Sequence, residues 1–362
     1  MKKLIKFKYK VLVLLIEFLT LCFIAFIAYN FIVPAKGNKI FYLPASDIKT
    51  VSSTLKENGY TLFYLDKLLM NFITLPEKGW YSIQEENEGR FFFFYRLHTQ
   101  TSPPKRLMKL KVFAAETKVE LTNRLANDMK SNRYKLLQHY NILSRFDEAD
   151  IIAGEYTLAK DADEYTTIKY LFDMSADTLE KFSKTHCHAM PKLFEQKVLH
   201  IIASIIQKES NHIDEMPLIS SVIYNRLEKG MRLQMDGTLN YGEYSHTIVT
   251  PERIKTDISL YNTYKYKGLP PAPLSSVSLD ALKAACKPKT SKYLFFMLTK
   301  DGTHTFADNY AKHLENVRVF KNLNKDKNTT VDANTTSDTN STFESNTTLD
   351  SNTSKVLVKK RT

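Results

Sequence analysis

The sequence predicts an α+β protein with an N-terminal membrane-spanning helix, a small α/β module, a mixed α+β body and a disordered C-terminal tail. Three observations carry that reading. Residues 1–10 are rich in lysine and precede an apolar run over 11–33; strand and helix periodicities follow through to residue 325; and an Asn/Thr/Ser tract fills 326–362. At 43% hydrophobic and 25% charged residues the composition is globular, which excludes collagen-like, fully disordered and polytopic membrane classes.

The run from Val11 to Val33 has Glu17 as its only charge. At 1.5 Å per residue it covers roughly 35 Å, enough for a bilayer core. A cleaved signal peptide needs a shorter apolar core and small residues at the cleavage point, where Phe23, Ile24, Phe26 and Ile27 stand instead. The reading is therefore an uncleaved anchor, with Glu17 reaching back to the interface. Lys2, Lys3, Lys6, Lys8 and Lys10 before the span outweigh Lys36 and Lys39 after it, which keeps the N-terminus cytoplasmic and puts the body outside.

Net charge is +12, of which the first 33 residues carry +4, the body +8 and the tail none. A basic body favours an anionic partner. Without zinc-finger spacing, an RNA-binding aromatic signature or a recognition helix, and outside the cytoplasm, that partner is expected to be an anionic polymer or membrane surface, not nucleic acid. Cys22 lies in the span; Cys187 and Cys286, 99 positions apart, pair only if the fold brings them together. His186, Cys187 and His188 are consecutive and rarely would all face one ion, so neither a metal nor a cofactor is expected.

In the module, Phe41–Leu43 reads as a strand, and Ser46 as the cap of a helix through Ile48, Val51 and Leu55 that Gly59 closes. Thr61–Tyr64 follows as a strand, Leu65–Ile73 as a helix and Trp80–Ile83 as a strand. The aromatic run Phe91–Tyr95 reads as an element buried on both faces, with a saccharide platform as the alternative. The second unit opens with Leu107, Leu110 and Val112. It continues in a helix carrying Val119, Leu121, Leu125 and Met129, passes Tyr156 and Tyr165, and enters a helix around Leu179. Residues 191–323 are dense in helices separated by turns rich in Gly and Pro. The tail cannot bury a core, and its Asn-x-Ser/Thr triplets follow from its composition.

The helix from Val198 to Ser210 places Val198, Leu199, Ile202, Ile205 and Ile206 on one stripe. Glu209 falls about 20° from the Val198 direction, near the stripe's centre, while His200, Ser204, Gln207 and Lys208 point elsewhere. A carboxyl on an apolar face is desolvated, and its expected pKa is raised, as an acid that donates a proton near neutrality requires. The alternative is a helix-end glutamate satisfied by a neighbouring helix.

Six segments follow in order: ASIIQKES (Ala203–Ser210), SVIYNRL (Ser221–Leu227), GMRLQMDGTLNYG (Gly230–Gly242), YNTY (Tyr261–Tyr264), GLPPAPL (Gly268–Leu274) and HTF (His304–Phe306). In them the chain resembles the endolytic murein transglycosylases of the MltG (YceG-like) family. The resemblance implies a cytoplasmic N-terminus over 1–10, an inner-membrane anchor over 11–33, a LysM-like module over 38–104 and a YceG-like catalytic region over 105–325 with its motif core at 191–323. It implies a lyase in which Glu209 is the acid/base that cuts the MurNAc–GlcNAc bond of nascent peptidoglycan with 1,6-anhydro-MurNAc formation, ending strand elongation. Cell-wall synthases (penicillin-binding proteins) are the implied protein partners.

Asn225 and Arg226 end a helix that Pro217 starts and Gly230 stops, and suit loop caps and muropeptide contacts equally. Gln234, Asp236, Thr238 and Tyr241 lie in a polar segment suited to sugar hydroxyl and N-acetyl recognition. Tyr261, Asn262, Thr263 and Tyr264, with Leu269, Pro270 and Pro271, read as a cleft wall with aromatics for sugar faces. Cys286 and Met297 read as core. Residue chemistry alone leaves hydrolysis open, because Asp236 is a second carboxylate near the proposed acid. The chain departs from the family pattern at Gln207, where many members have an acidic residue. Met235 and Gly237 replace a small hydroxyl residue and a proline, and Ser276, Val277 and Ser278 replace Asn-Pro-Gly. The rival reading is a non-catalytic, membrane-anchored peptidoglycan-binding scaffold.

Overall fold

The computed structural model describes residues 2–32, 36–83, 89–99, 104–187 and 192–328. The Asn/Thr/Ser tract beyond 328 and His188 lie outside the described residues. The chain is mixed α+β and divides into two units, Met1–Lys109 with Thr157–Tyr170, and Leu110–Tyr156 with Leu171–Thr362.

The first unit begins with α1 (Lys2–Ile27), continued by one wider turn at Ala28–Ile32. From Phe7 to Asn30 this helix is long and apolar enough to cross a membrane. Then come β1 (Ile40–Leu43), α2 (Ile48–Glu57), α3 (Tyr64–Met70), β2 (Gly79–Ser82) and α4 (Arg90–Thr99). β1 and β2 pair antiparallel, Ile40 opposite Ser82 and Leu43 opposite Gly79. Phe41, Leu43, Val51, Leu55, Met70, Tyr81, Phe93, Phe94 and Leu97 form the core of this module.

The module departs from the sequence-based expectation at three places. The cap of α2 is Asp47, not Ser46: its carboxylate accepts from Thr50 N at 2.9 Å, because it is the residue directly before the helix. Thr61–Tyr64 is not a strand. Phe63 N donates to Asp66 at 2.6 Å and Arg90 donates to Thr61 O, so side chains hold the segment extended until Tyr64 opens α3. The aromatic run is a helix buried on one face: Phe93 and Phe94 enter the core, while Phe92 and Tyr95 are exposed.

Further elements are β3 (Leu107–Val112), α5 (Lys118–Met129), α6 (Arg133–Leu143), β4 (Gly154–Ala159), α7 (Glu164–His186), α8 (Leu193–Glu209), α9 (Met216–Glu228), α10 (Pro251–Thr256), α11 (Leu279–Cys286), β5 (Phe295–Leu298), β6 (His304–Ala307) and α12 (Tyr310–Asn328). β3 lies beside β4, and β5 pairs antiparallel with β6. Leu110 and Val112 point inward from β3, whereas Leu107 is exposed. α5 starts at a capping box in which Thr117 and Glu120 satisfy each other's backbone N–H groups. Leu121, Leu125 and Met129 bury its inner face, and Val119 is exposed on the outer one.

The core of the second unit gathers around α8. Ile202, Ile205 and Ile206 pack with Ile219, Val222 and Ile223 of α9 and with Ala281, Leu282 and Ala285 of α11. The alanines of α11 let it approach α8 closely. His200, Ser204 and Gln207 are buried too, so α8 is enclosed on more than its apolar stripe. Ser204 Oγ accepts from Leu274 N at 3.0 Å, and Gln207 Oε1 accepts from Ser278 Oγ at 2.7 Å. These bonds satisfy Ser204 and Gln207, which burial would otherwise leave unpaired. Cys286 is not merely a core residue: a Cys187–Cys286 disulfide, Cα–Cα 5.5 Å, ties the end of α7 to the end of α11. The neighbouring His186 ring stacks on Phe182.

Candidate active site

α8 delivers a carboxyl to the edge of an otherwise apolar core. Glu209 is its last residue and Ser210, the C-cap, turns to an extended conformation. The chain beyond α9 returns through Gly230, whose φ of +62° takes the left-handed turn that a side chain resists, and forms a single 3-10 turn at Asp236–Leu239. There Gly237 N donates to Glu209 Oε1 at 2.9 Å. A Cβ on Gly237 would stand 2.9 Å from that oxygen and 2.8 Å from Lys208 Cβ, so the turn sits this close only because residue 237 is glycine. Glu209 is half-buried.

The carboxyl opens into a cavity of about 120 Å³ lined by, among others, Arg226, Gln234, Asp236, Asn240, Phe296 and His304. Asp236 accepts from Tyr264 OH at 2.7 Å. Gln234 is held at φ +49° with its N–H on Thr263 O. His304 is fixed from the other side: its N–H donates to Glu215 Oε1 at 2.6 Å and its Nδ1 lies 2.8 Å from Glu215 Oε2. Lys208 donates to Ala115 O and Ser245 Oγ, both at 3.0 Å.

Arg226 is buried, and its guanidinium donates to the carbonyls of Leu233 at 2.6 Å and Leu294 at 2.6 Å. Burial pulls its pKa below the usual value, and the charges of Tyr264 and Glu209 oppose that shift. It both braces the cavity wall and supplies positive potential near the carboxyl.

The other nominated residues do not line this cavity. Asn225 donates to Ser291 O and Tyr293 O, tying α9 to the segment before β5. Thr238 is fully buried and bonds Met235 O and Thr263. Asn262, also fully buried, donates to Ile254 O and Asp257 O and accepts from Tyr264 N, so it shapes the loop that carries Tyr264. Tyr241 and Tyr261 stack on each other at 4.3 Å; burial pushes the Tyr261 phenol up to about 12. In the other direction Met297, assigned to the core, also faces the cavity. Glu215 was missed by sequence reading, since its proximity to His304, 89 positions away, arises only on folding. Among the described residues no three His, Cys, Asp or Glu side chains are grouped to hold a metal ion.

Residues that depart from the family pattern have local partners. Gln207 accepts from Ser278, and Ser278 caps α11 through Ala281 N. Ser276 N and O bond Glu116 O and Ala115 N, and Val277 O accepts from Ala153 N.

The chain is 32% identical over 166 residues to an endolytic murein transglycosylase of Streptococcus pneumoniae, a match covering 44% of this chain and 30% of that protein. It is 35% identical over 113 residues to an endolytic murein transglycosylase of Bacillus subtilis, covering 31% of each. The chain thus matches about a third of the length of these curated relatives. A crystal structure of a yceG-like protein from Listeria monocytogenes aligns with a TM-score of 0.49 at 22% identity, over 76% of this chain and 97% of that one. Residues 43–319, which hold the module beyond its first strand, the Glu209 cavity and the loops that brace it, match the YceG-like family, and the chain belongs to that family.

Proposed function

We propose that this chain is a membrane-anchored endolytic peptidoglycan transglycosylase with Glu209 as its acid/base. The observation that carries the proposal is the Glu209 carboxyl, held by Gly237 N–H at the end of an enclosed helix and facing a polar cavity. In the protonated state Glu209 would donate to the glycosidic oxygen between MurNAc and GlcNAc. The resulting carboxylate would then take the proton of the MurNAc C6 hydroxyl as that oxygen closes the 1,6-anhydro ring. The nucleophile belongs to the substrate, so the carboxylate pair of ordinary glycosidases is not required. Tyr264 holds Asp236 by a hydrogen bond, which suits a positioning role better than activation of water. Arg226, Gln234, Asp236 and His304 present the donors and acceptors that sugar hydroxyl and N-acetyl groups need.

Finer features belong to the same reading. The β1-α2-α3-β2 order with antiparallel strands supports a LysM-like, glycan-binding module. The Cys187–Cys286 disulfide supports an oxidising, extracytoplasmic location for the body, and α1, with lysines in its first turns ahead of the apolar stretch, supports a cytoplasmic N-terminus at the inner membrane. Nascent glycan strands are the proposed substrate and cell-wall synthases the proposed partners.

The test is mass spectrometry of purified glycan strands after incubation with the full chain and with Glu209→Gln. The expected products carry 1,6-anhydro-MurNAc ends, and the variant, which cannot exchange a proton, is expected to lose roughly 10²- to 10⁴-fold in rate while remaining folded. Reducing ends would make the chain a hydrolase. Glycan binding without cleavage by the wild type would make it a scaffold.

A further inference from the structure

The end of the apolar helix is fastened to the small module by specific contacts. Tyr29 OH donates to Asp66 of α3, and Asp66 is paired in full burial with Arg90 of α4. Asn30 is buried, and its Oδ1 accepts from Phe91 N at 2.9 Å, so a residue of the anchor caps the first turn of α4. A Cβ on Gly89 would lie 2.6 Å from that Asn30 oxygen; glycine is what allows the approach. Phe26 meets Phe91 edge-on at 5.7 Å, and Phe91 stacks on Tyr95. A row of rings therefore runs from the anchor onto the outer face of α4.

That outer face and the start of α3 are apolar and uncovered. Phe92 and Tyr95 are about half exposed; Phe63, which the Arg90 guanidinium overlies at 4.6 Å, is 42% exposed and Tyr64 is 78% exposed. Leu68 and Phe72 continue from Tyr64 at four-residue spacing, both exposed. Isolated exposed apolar side chains are ordinary, but Phe92 and Tyr95 meet Phe91, which meets Phe26 of the apolar helix, and that helix is also tied to α3 through Tyr29 and Asp66. Aromatic rings with one apolar and one polar end favour the headgroup level of a bilayer, where α1 ends.

Resting on the reading of α1 as a membrane anchor, we propose that the module is seated on the bilayer itself. The exposed face of α3 and α4 contacts lipid at the outer interface, and the Asp66–Arg90 pair with Asn30 locks the module in that attitude. The module then holds whatever glycan it binds at a fixed, short height above the membrane.

The test uses the full chain in vesicles of phosphatidylcholine and phosphatidylglycerol with bromine on the acyl chains near the headgroup. Trp80, the only tryptophan, is retained and gives the baseline. Tyr64→Trp, Phe92→Trp and Tyr95→Trp each add one emitter, and Phe23→Trp reports the anchor. The expected result is at least twofold quenching of the added emission by brominated lipid, with protection from aqueous iodide, at all three module positions. Added emission that is open to iodide and unaffected by bromine overturns the proposal. Shielding from both quenchers also overturns it, since a protein surface would then cover the face. An unquenched Phe23→Trp variant overturns the anchor reading separately.

Discussion

Gly237 sets the position of the proposed acid more directly than any side chain near it. Its N–H reaches Glu209 Oε1 at 2.9 Å only because no Cβ intervenes. In Gly237→Ala the methyl must displace either the carboxyl or the last turn of α8. Misplacement of a reacting group by about 1 Å costs on the order of 10²-fold in rate. Turnover on glycan strands should fall by about that factor with the thermal midpoint little changed; an unaltered rate would show that the turn does not position Glu209. Glu148 offers a pH test at the same scale. It is buried where its Oε2 accepts from Lys118 N at 2.9 Å, and desolvation raises its pKa from 4.5 to about 8. The folded chain therefore keeps a proton that the unfolded chain releases above about 4.5. This group's contribution to stability is full below that pH and is lost as pH rises through 8. In Glu148→Gln the decline between pH 5 and 8 should be smaller by an amount of order a few kcal/mol, read from denaturant melts at both pH values. Equal pH dependence in the two proteins would reject the buried-acid assignment. The sequence exposed Glu209 through its place on the apolar stripe of α8, but Glu148, Glu215 and Gly237 act through partners distant in the chain.

Among elements, α8 depends on α11, which lies along it and carries the Gln207–Ser278 bond. The far end of α11 is joined to α7 through Cys187–Cys286. Closing a loop of 99 positions restricts the unfolded chain, a contribution of about 2–4 kcal/mol in most proteins. Cys187→Ser and Cys286→Ser should each lose about that much stability in denaturant melts, and the double variant should lose no more than either single one. Losses that add would place the effect in side-chain packing instead of the crosslink. Helix periodicity marks α5 and α8 well because one face of each repeats apolar residues. It did not mark α6, and the β5–β6 hairpin also went unforeseen. Thr61–Tyr64, with strand-like residues, lacks a partner strand and is captured by Asp66 and Arg90.

For the whole molecule, the proposal to test is the orientation, with the body outside the membrane. Protease added to intact spheroplasts should degrade residues beyond the anchor while sparing α1, its lysine-rich first turns included. A body protected until the membrane is opened would reverse the orientation. The apolar helix, the module's pair of strands, the apolar stripe of the helix ending in Glu209 and the family motifs were all legible from the sequence, whereas the burial of His200, Ser204 and Gln207 on its other faces was not. They are set by local periodicity, by length and by residues whose order in the chain is itself the signal. The tertiary structure alone decided that Arg226, Gln234, Asp236 and His304 share one cavity with Glu209, while Asn225, Thr238 and Asn262 brace its loops. It also decided that Cys187 meets Cys286 and that Asn30 caps α4. A polar residue's type states which hydrogen bonds it can make. Which of them it does make depends on the groups that folding brings within about 3 Å.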